Sequence, residues 1–178
     1  AIGEPGDMLY RLNVADADGY RVNVVLESRE PILSASWAPD GNRIAYVSFE
    51  MDSRPAIYIH NLSANTRQQV TSFSGLNGAP AFSPDGSQLA VQVRRNYVRF
   101  YSLAENGKVN RLLSTIESYF NHVVFSSRPG EAALLGNRTS SLWNTRTGKK
   151  IIEWPHPGPN WPSDAVFSPS GREVATLS

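Results

Sequence analysis

Cysteine is absent from the 178 residues, so the chain has no disulfide framework, no thiolate nucleophile and no thiolate metal site. Histidine occurs three times, at His60, His122 and His156, too far apart for the i,i+2 or i,i+4 spacing of metal ligands. Neither sign of charge dominates. Seventeen basic residues against sixteen acidic leave a net charge of +1, which gives no electrostatic reason to expect a nucleic-acid or membrane-surface partner. No apolar run approaches the roughly 20 residues needed to cross a bilayer as a helix, so no membrane insertion is predicted. A basic-then-apolar leader is also missing at the N-terminus, and the first residue is Ala1 rather than Met, the pattern of a processed protein or of a segment cut from a longer one.

The sequence is equally short of catalytic patterns. It contains no Gly-x-Ser-x-Gly elbow, and Asp40 and Asp85 each follow a proline and precede a glycine, where a carboxylate bonding its own turn accounts for them. A non-catalytic protein without a cofactor is predicted.

What the chain has is a repeat. Trp37-Ala38-Pro39-Asp40-Gly41 recurs as Phe82-Ser83-Pro84-Asp85-Gly86, as Phe125-Ser126-Ser127-Arg128-Pro129-Gly130 with one residue inserted, and as Phe167-Ser168-Pro169-Ser170-Gly171. The leading aromatics stand 45, 43 and 42 residues apart. A period in the low forties with a Pro/Gly turn behind an aromatic marks the blades of a propeller, each a small four-stranded sheet. The fold class predicted is therefore all-β, a β-propeller of four-stranded antiparallel blades.

Period-2 alternation and turn residues divide the chain further. Residues 1–7 are a lead-in, and 8–178 form a single array. Within it 8–27 is a hairpin turned at Asp16-Ala17-Asp18-Gly19, then 34–73, 79–114 and 122–155 each hold four strands, and 163–178 holds two. Arg43 to Phe49 is apolar on both faces, the mark of a strand sandwiched between neighbouring sheets. The outer pairs make up one blade equivalent, so each chain carries four. The reading is a blade shared between the N- and C-terminal strands, because sharing leaves no sheet edge open. An eight-bladed ring formed by a homodimer is favoured over a four-bladed monomer, since four wedges require a sharper angle between sheets. A fragment with exposed edges is the third possibility.

Loops at one end of such an array would carry binding. They contain Arg54, Phe73, Arg94, Tyr97, Tyr119, Phe120 and Trp161, the aromatic and arginine mixture enriched at protein interfaces.

Between about Leu9 and Ala90 the chain resembles the TolB-type propellers, exported components of Tol-Pal envelope systems. The matching runs are 14–20, Ser36 to Gly41 with Ile44 to Glu50, Arg67 to Val70, and above all Asn77-Gly78-Ala79-Pro80-Ala81-Phe82-Ser83-Pro84-Asp85-Gly86-Ser87-Gln88-Leu89-Ala90. The resemblance implies a periplasmic location, a Pal-like lipoprotein partner and a binding face around Leu76, Asn77, Gly78, Ala79 and Pro80. The family commonly has His where Leu76 stands. Over 95–178 the chain is similar instead to WD-repeat blades, through Ser141-Leu142-Trp143-Asn144-Thr145-Arg146-Thr147-Gly148-Lys149 and Asp164 to Arg172, with Asn144 in place of the usual Asp. Two blade styles in one chain imply a divergent or a recombined, chimeric propeller. A protein-binding scaffold is the main functional reading. The alternatives are a recombined or fragment propeller whose only property is folding and self-assembly, and the gating propeller of a prolyl-oligopeptidase-like enzyme.

Overall fold

The computed structural model describes residues 9–51, 54–71, 77–94, 96–156, 162 and 164–177. Sixteen strands run in chain order: β1 (Tyr10–Ala15), β2 (Val22–Ser28), β3 (Ile32–Trp37), β4 (Arg43–Met51), β5 (Arg54–Asn61), β6 (Thr66–Thr71), β7 (Asn77–Phe82), β8 (Gln88–Val93), β9 (Tyr97–Leu103), β10 (Val109–Glu117), β11 (His122–Phe125), β12 (Glu131–Leu135), β13 (Thr139–Asn144), β14 (Lys150–Pro155), β15 (Asp164–Phe167) and β16 (Val174–Leu177). Every ladder joins strands consecutive in sequence. The result is a hairpin β1–β2, three full sheets β3–β6, β7–β10 and β11–β14, and a last hairpin β15–β16. The two hairpins are separate two-stranded sheets. Among the described residues no ladder joins the two hairpins into one blade.

The repeated motif turns the first strand into the second in the three full sheets and in the last hairpin. In all four copies the residue after the aromatic donates its N–H to a carbonyl five residues on: Ala38 to Arg43, Ser83 to Gln88, Ser126 to Glu131 and Ser168 to Glu173. The aspartates act locally, as a short carboxylate in a turn does. Asp40 Oδ1 accepts the Asn42 N–H at 2.9 Å, and Asp85 Oδ1 accepts the Ser87 N–H at 3.0 Å. Gly86 has φ +69°, a left-handed value that a Cβ would penalise.

Two strands begin earlier than the sequence predicts, at Ile32 rather than 34 and at Asn77 rather than 79. The cause is one bulge repeated. Ser34 (φ 52°) and Ala79 (φ 46°) adopt left-handed backbone, and the register of their strands shifts between Leu33 and Ser36 and between Gly78 and Ala81. Pairing resumes beyond each bulge and lengthens the strand.

The sheets stack face to face and bury alternate residues between them. Tyr46, Ala56 and Tyr58 face the first hairpin and meet Leu12 and Leu26. Ala45, Val47, Ile57 and Ile59 of the first full sheet meet Phe82, Leu89, Val91 and Tyr101 of the second. Ala90, Val98, Phe100 and Ile116 of the second meet Phe120, Ala132 and Leu134. A buried aromatic such as Phe82 contributes about 2–3 kcal/mol. The last hairpin follows through Ser127 Oγ, which donates to Ser168 O at 2.9 Å.

One polar side chain per interface reaches forward from the start of the second strand. Arg43 Nε bonds Asp40 Oδ2 at 2.6 Å, its Nη2 meets Gly86 O at 3.4 Å, and its guanidinium lies over the Phe82 ring at 5.6 Å. One repeat later, Gln88 Oε1 accepts the Thr145 hydroxyl at 2.7 Å.

Candidate protein-binding site

Antiparallel register assembles a row of residues across one end of the second full sheet. Asn77 pairs with Val93, Val93 with Tyr97, and Tyr97 with Glu117. Gly78, Ala79 and Pro80 follow Asn77 into the bulge, which exposes Ala79 while Pro80 is buried. Arg94, exposed and at φ 58°, caps the turn from β8 to β9. Non-glycine residues held in left-handed backbone cost of order 1 kcal/mol each and concentrate at functional edges.

The row is tied together by Glu117. Its carboxylate stands beside the Tyr97 phenol and raises the Tyr97 pKa. Asn96 Nδ2 donates to Glu117 Oε1 at 3.4 Å. Two residues on, Tyr119 is 83% exposed, the most exposed aromatic at this end among the described residues. Sequence reasoning missed Glu117 and Asn96 because β10 was read as ending at 114; the strand runs three residues further.

Arg54 opens β5 at the corresponding end of the first full sheet and is exposed. Phe120 is a correction. Its ring is 3% exposed and packs against Ile116, Phe100 and Leu134 between sheets, so it supports the site without presenting a surface. The alternation that turns Tyr119 outward turns its neighbour inward. Phe73, Leu76 and Trp161 lie outside the described residues.

The histidines do not converge. His60 is buried on β5, where burial lowers its pKa; His122 opens β11 and is exposed; His156 Nε2 lies 2.5 Å from Ser140 Oγ. Among the described residues no three His, Cys, Asp or Glu side chains gather to hold a metal ion. A cleft of about 500 Å³ opens between the first and second full sheets at their opposite, turn end, lined by Asn61, Gln68 and Asn106 to Lys108 with Arg43 among its walls.

Meandering antiparallel sheets stacked face to face, the full ones each with an aromatic-led Pro/Gly turn between first and second strands, define a β-propeller. The model of the TolB beta propeller domain (PD40) matches residues 3–127, and the chain belongs to that family. The match runs past Ala90, where the motif resemblance stopped, and takes in β7–β10 whole. The crystal structure of TolB from Acinetobacter baumannii superposes with a TM-score of 0.69 at 32% identity, over 94% of this chain and 42% of that one. The Tol-Pal system protein TolB of Alcanivorax borkumensis is 59% identical over 87 residues, which are 49% of this chain and 20% of that protein. That of Pseudomonas putida is 60% identical over 72 residues, 40% of this chain and 16% of that protein. The chain thus spans a fifth or less of the curated relatives it matches.

Proposed function

We propose that the chain is a non-catalytic scaffold that binds a protein at the loop end of its second full sheet, in the periplasm, with a Pal-like lipoprotein as the partner. The observation that carries this reading is membership of the TolB propeller family, joined to a row at that end which displays Arg94, Tyr97, Ala79 and Tyr119. The row suits a protein partner. Its backbone is fixed by two left-handed residues, and it offers an exposed tyrosine and arginine, residue types that dominate binding energy at interfaces. Arg54, at the corresponding end of the first full sheet, extends the same face. The recombined-propeller and peptidase-gate readings draw no support from the relatives, which are named as Tol-Pal system proteins.

Titration calorimetry with a Pal-type domain tests it. Saturable binding is expected, weakened about tenfold or more by Tyr119→Ala or Arg94→Glu, as hot-spot residues behave. Absence of saturable binding at ~50 µM, or affinity indifferent to both substitutions, overturns the assignment.

A further inference from the structure

The cleft at the turn end, between the first and second full sheets, is walled by hydrogen-bond donors. Its volume of about 500 Å³ lies in the range of small-ligand sites. Among the described residues that line it none is an aspartate or glutamate, whereas Arg43, Arg67 and Lys108 are cations. Arg67 is already held by Glu50 at 2.7 Å, and its guanidinium lies 5.1 Å from the centre of the Tyr58 ring. The other two cations are less fully met.

Lys108 is exposed on the β9–β10 turn and joins no ion pair among the described residues. Arg43 lines the cleft from its buried side, with 9% of its side chain exposed. Asp40 takes its Nε and Gly86 O its Nη2, but Nη1 is buried without an acceptor. A guanidinium in so dry a place is screened far less than one in water, so its positive potential carries into the cleft.

Three carboxamides complete the wall, and each has its oxygen engaged elsewhere. Asn61 Oδ1 accepts from Asn42 Nδ2 at 3.3 Å, from Ser63 Oγ at 3.1 Å and from the Ala64 N–H at 2.9 Å. Gln68 Oε1 accepts the Val109 N–H at 3.3 Å, and Asn106 Oδ1 accepts the Lys108 N–H at 3.1 Å. What each has left is its NH2 group, a pure donor. None of these three NH2 groups has a hydrogen-bond partner among the described residues. The next interface is built otherwise, since Gln88 stands where Arg43 does and is met by the Thr145 hydroxyl.

We propose that this cleft binds an oxyanion, a carboxylate or phosphate group. Lys108 pairs with its charge, the NH2 groups of Asn61, Gln68 and Asn106 donate to its oxygens, and Arg43 supplies positive potential from the buried side. Either group is all acceptor, which matches a wall of donors, and bonds to a charged acceptor are the stronger kind. A cation would meet repulsion there and no carboxylate. The cleft lies at the end of the sheets opposite the protein-binding row and does not rest on the reading given for that row.

NMR titration of the 178-residue chain with sodium phosphate, and separately with sodium acetate, tests this against sodium chloride at matched ionic strength. Saturable shifts of the Gly107 and Lys108 amides and of the three side-chain NH2 groups are expected with at least one of the two, at a dissociation constant of ~1–10 mM. Which salt saturates at lower concentration tells a phosphate ligand from a carboxylate. Lys108→Glu is expected to weaken binding about tenfold or more, and Lys149→Glu, exposed on the corresponding turn of the third full sheet, to leave it unchanged. Gln68→Glu keeps an acceptor for the Val109 N–H while replacing the donor by a carboxylate oxygen, and it too is expected to abolish saturation, whether or not Lys108→Glu folds well. Shifts no larger than in chloride, no saturation by ~50 mM of either salt, or equal affinity in the Lys108→Glu and Lys149→Glu chains overturns the proposal.

Discussion

The interface between the first and second full sheets and that between the second and third are built on one backbone plan and locked differently. In the first a cation does the work: Arg43 is held by the partly exposed Asp40, lies on Phe82 and passes beneath the β9–β10 turn. In the second a neutral pair suffices, Thr145 donating to Gln88. The turn is common to these blades, and the forward-reaching side chain differs between their interfaces. The interfaces are therefore not interchangeable, although the repeat that makes them is.

The largest effect that would break this contrast is expected at Gly107. A Cβ there would sit 2.6 Å from Arg43 Cδ, at a backbone φ of +77°. Gly107→Ala should cost ~2–4 kcal/mol in chemical denaturation, from overlap and left-handed strain together. With Arg43→Ala already present the added cost should fall to ~1 kcal/mol, the strain alone. Equal costs in both backgrounds would mean that Arg43 does not fill the space under the turn. A smaller loss is expected from Thr145→Val, which leaves Gln88 Oε1 buried without a donor at ~1–2 kcal/mol. That loss should be insensitive to salt.

The smallest effect separates the two turn aspartates. Burial alone would raise the Asp40 pKa, but the Asn42 N–H and the Arg43 guanidinium outweigh it and hold the carboxyl below its ordinary 3.8. Burial would also raise Asp85, and there the hydroxyls of Ser83 and Ser87 with the Ser87 N–H bring it below 3.8. Both carboxylates favour the folded state above the unfolded value, and that contribution is lost as pH falls through the folded one. Carboxyl NMR titration in added salt should move Asp40 towards 3.8 more than Asp85, because only Asp40 leans on a full charge. Equal movement would erase the distinction between a charged and a neutral lock.

The grouping of strands was legible because its punctuation is chemical. Proline, aspartate and glycine sit where φ is fixed, bonded or released, and an aromatic leads each turn, packed between sheets at Phe82 and Phe125. The bulges were not legible, since Ser34 and Ala79 carry no sign of the left-handed backbone they adopt. Arg43 opens a strand directly after a turn, and nothing in the sequence marks the burial it has between stacked sheets. At the candidate site Arg94 and Tyr119 could be read as exposed loop residues. Phe120 could not be told from its neighbour, because which of two adjacent aromatics turns inward depends on the sheet packed against them.

The strictly sequential ladders also govern how the chain folds. Each full sheet is a meander whose pairings close short loops, so a sheet can form before any distant segment has arrived, the regime in which β proteins fold fastest. Contacts between sheets then involve neighbours alone, and order spreads along the stack from whichever sheet forms first, as in a one-dimensional array. The middle sheet, flanked by Arg43 on one side and by Gln88 with Thr145 on the other, is the one that opening from either end reaches last.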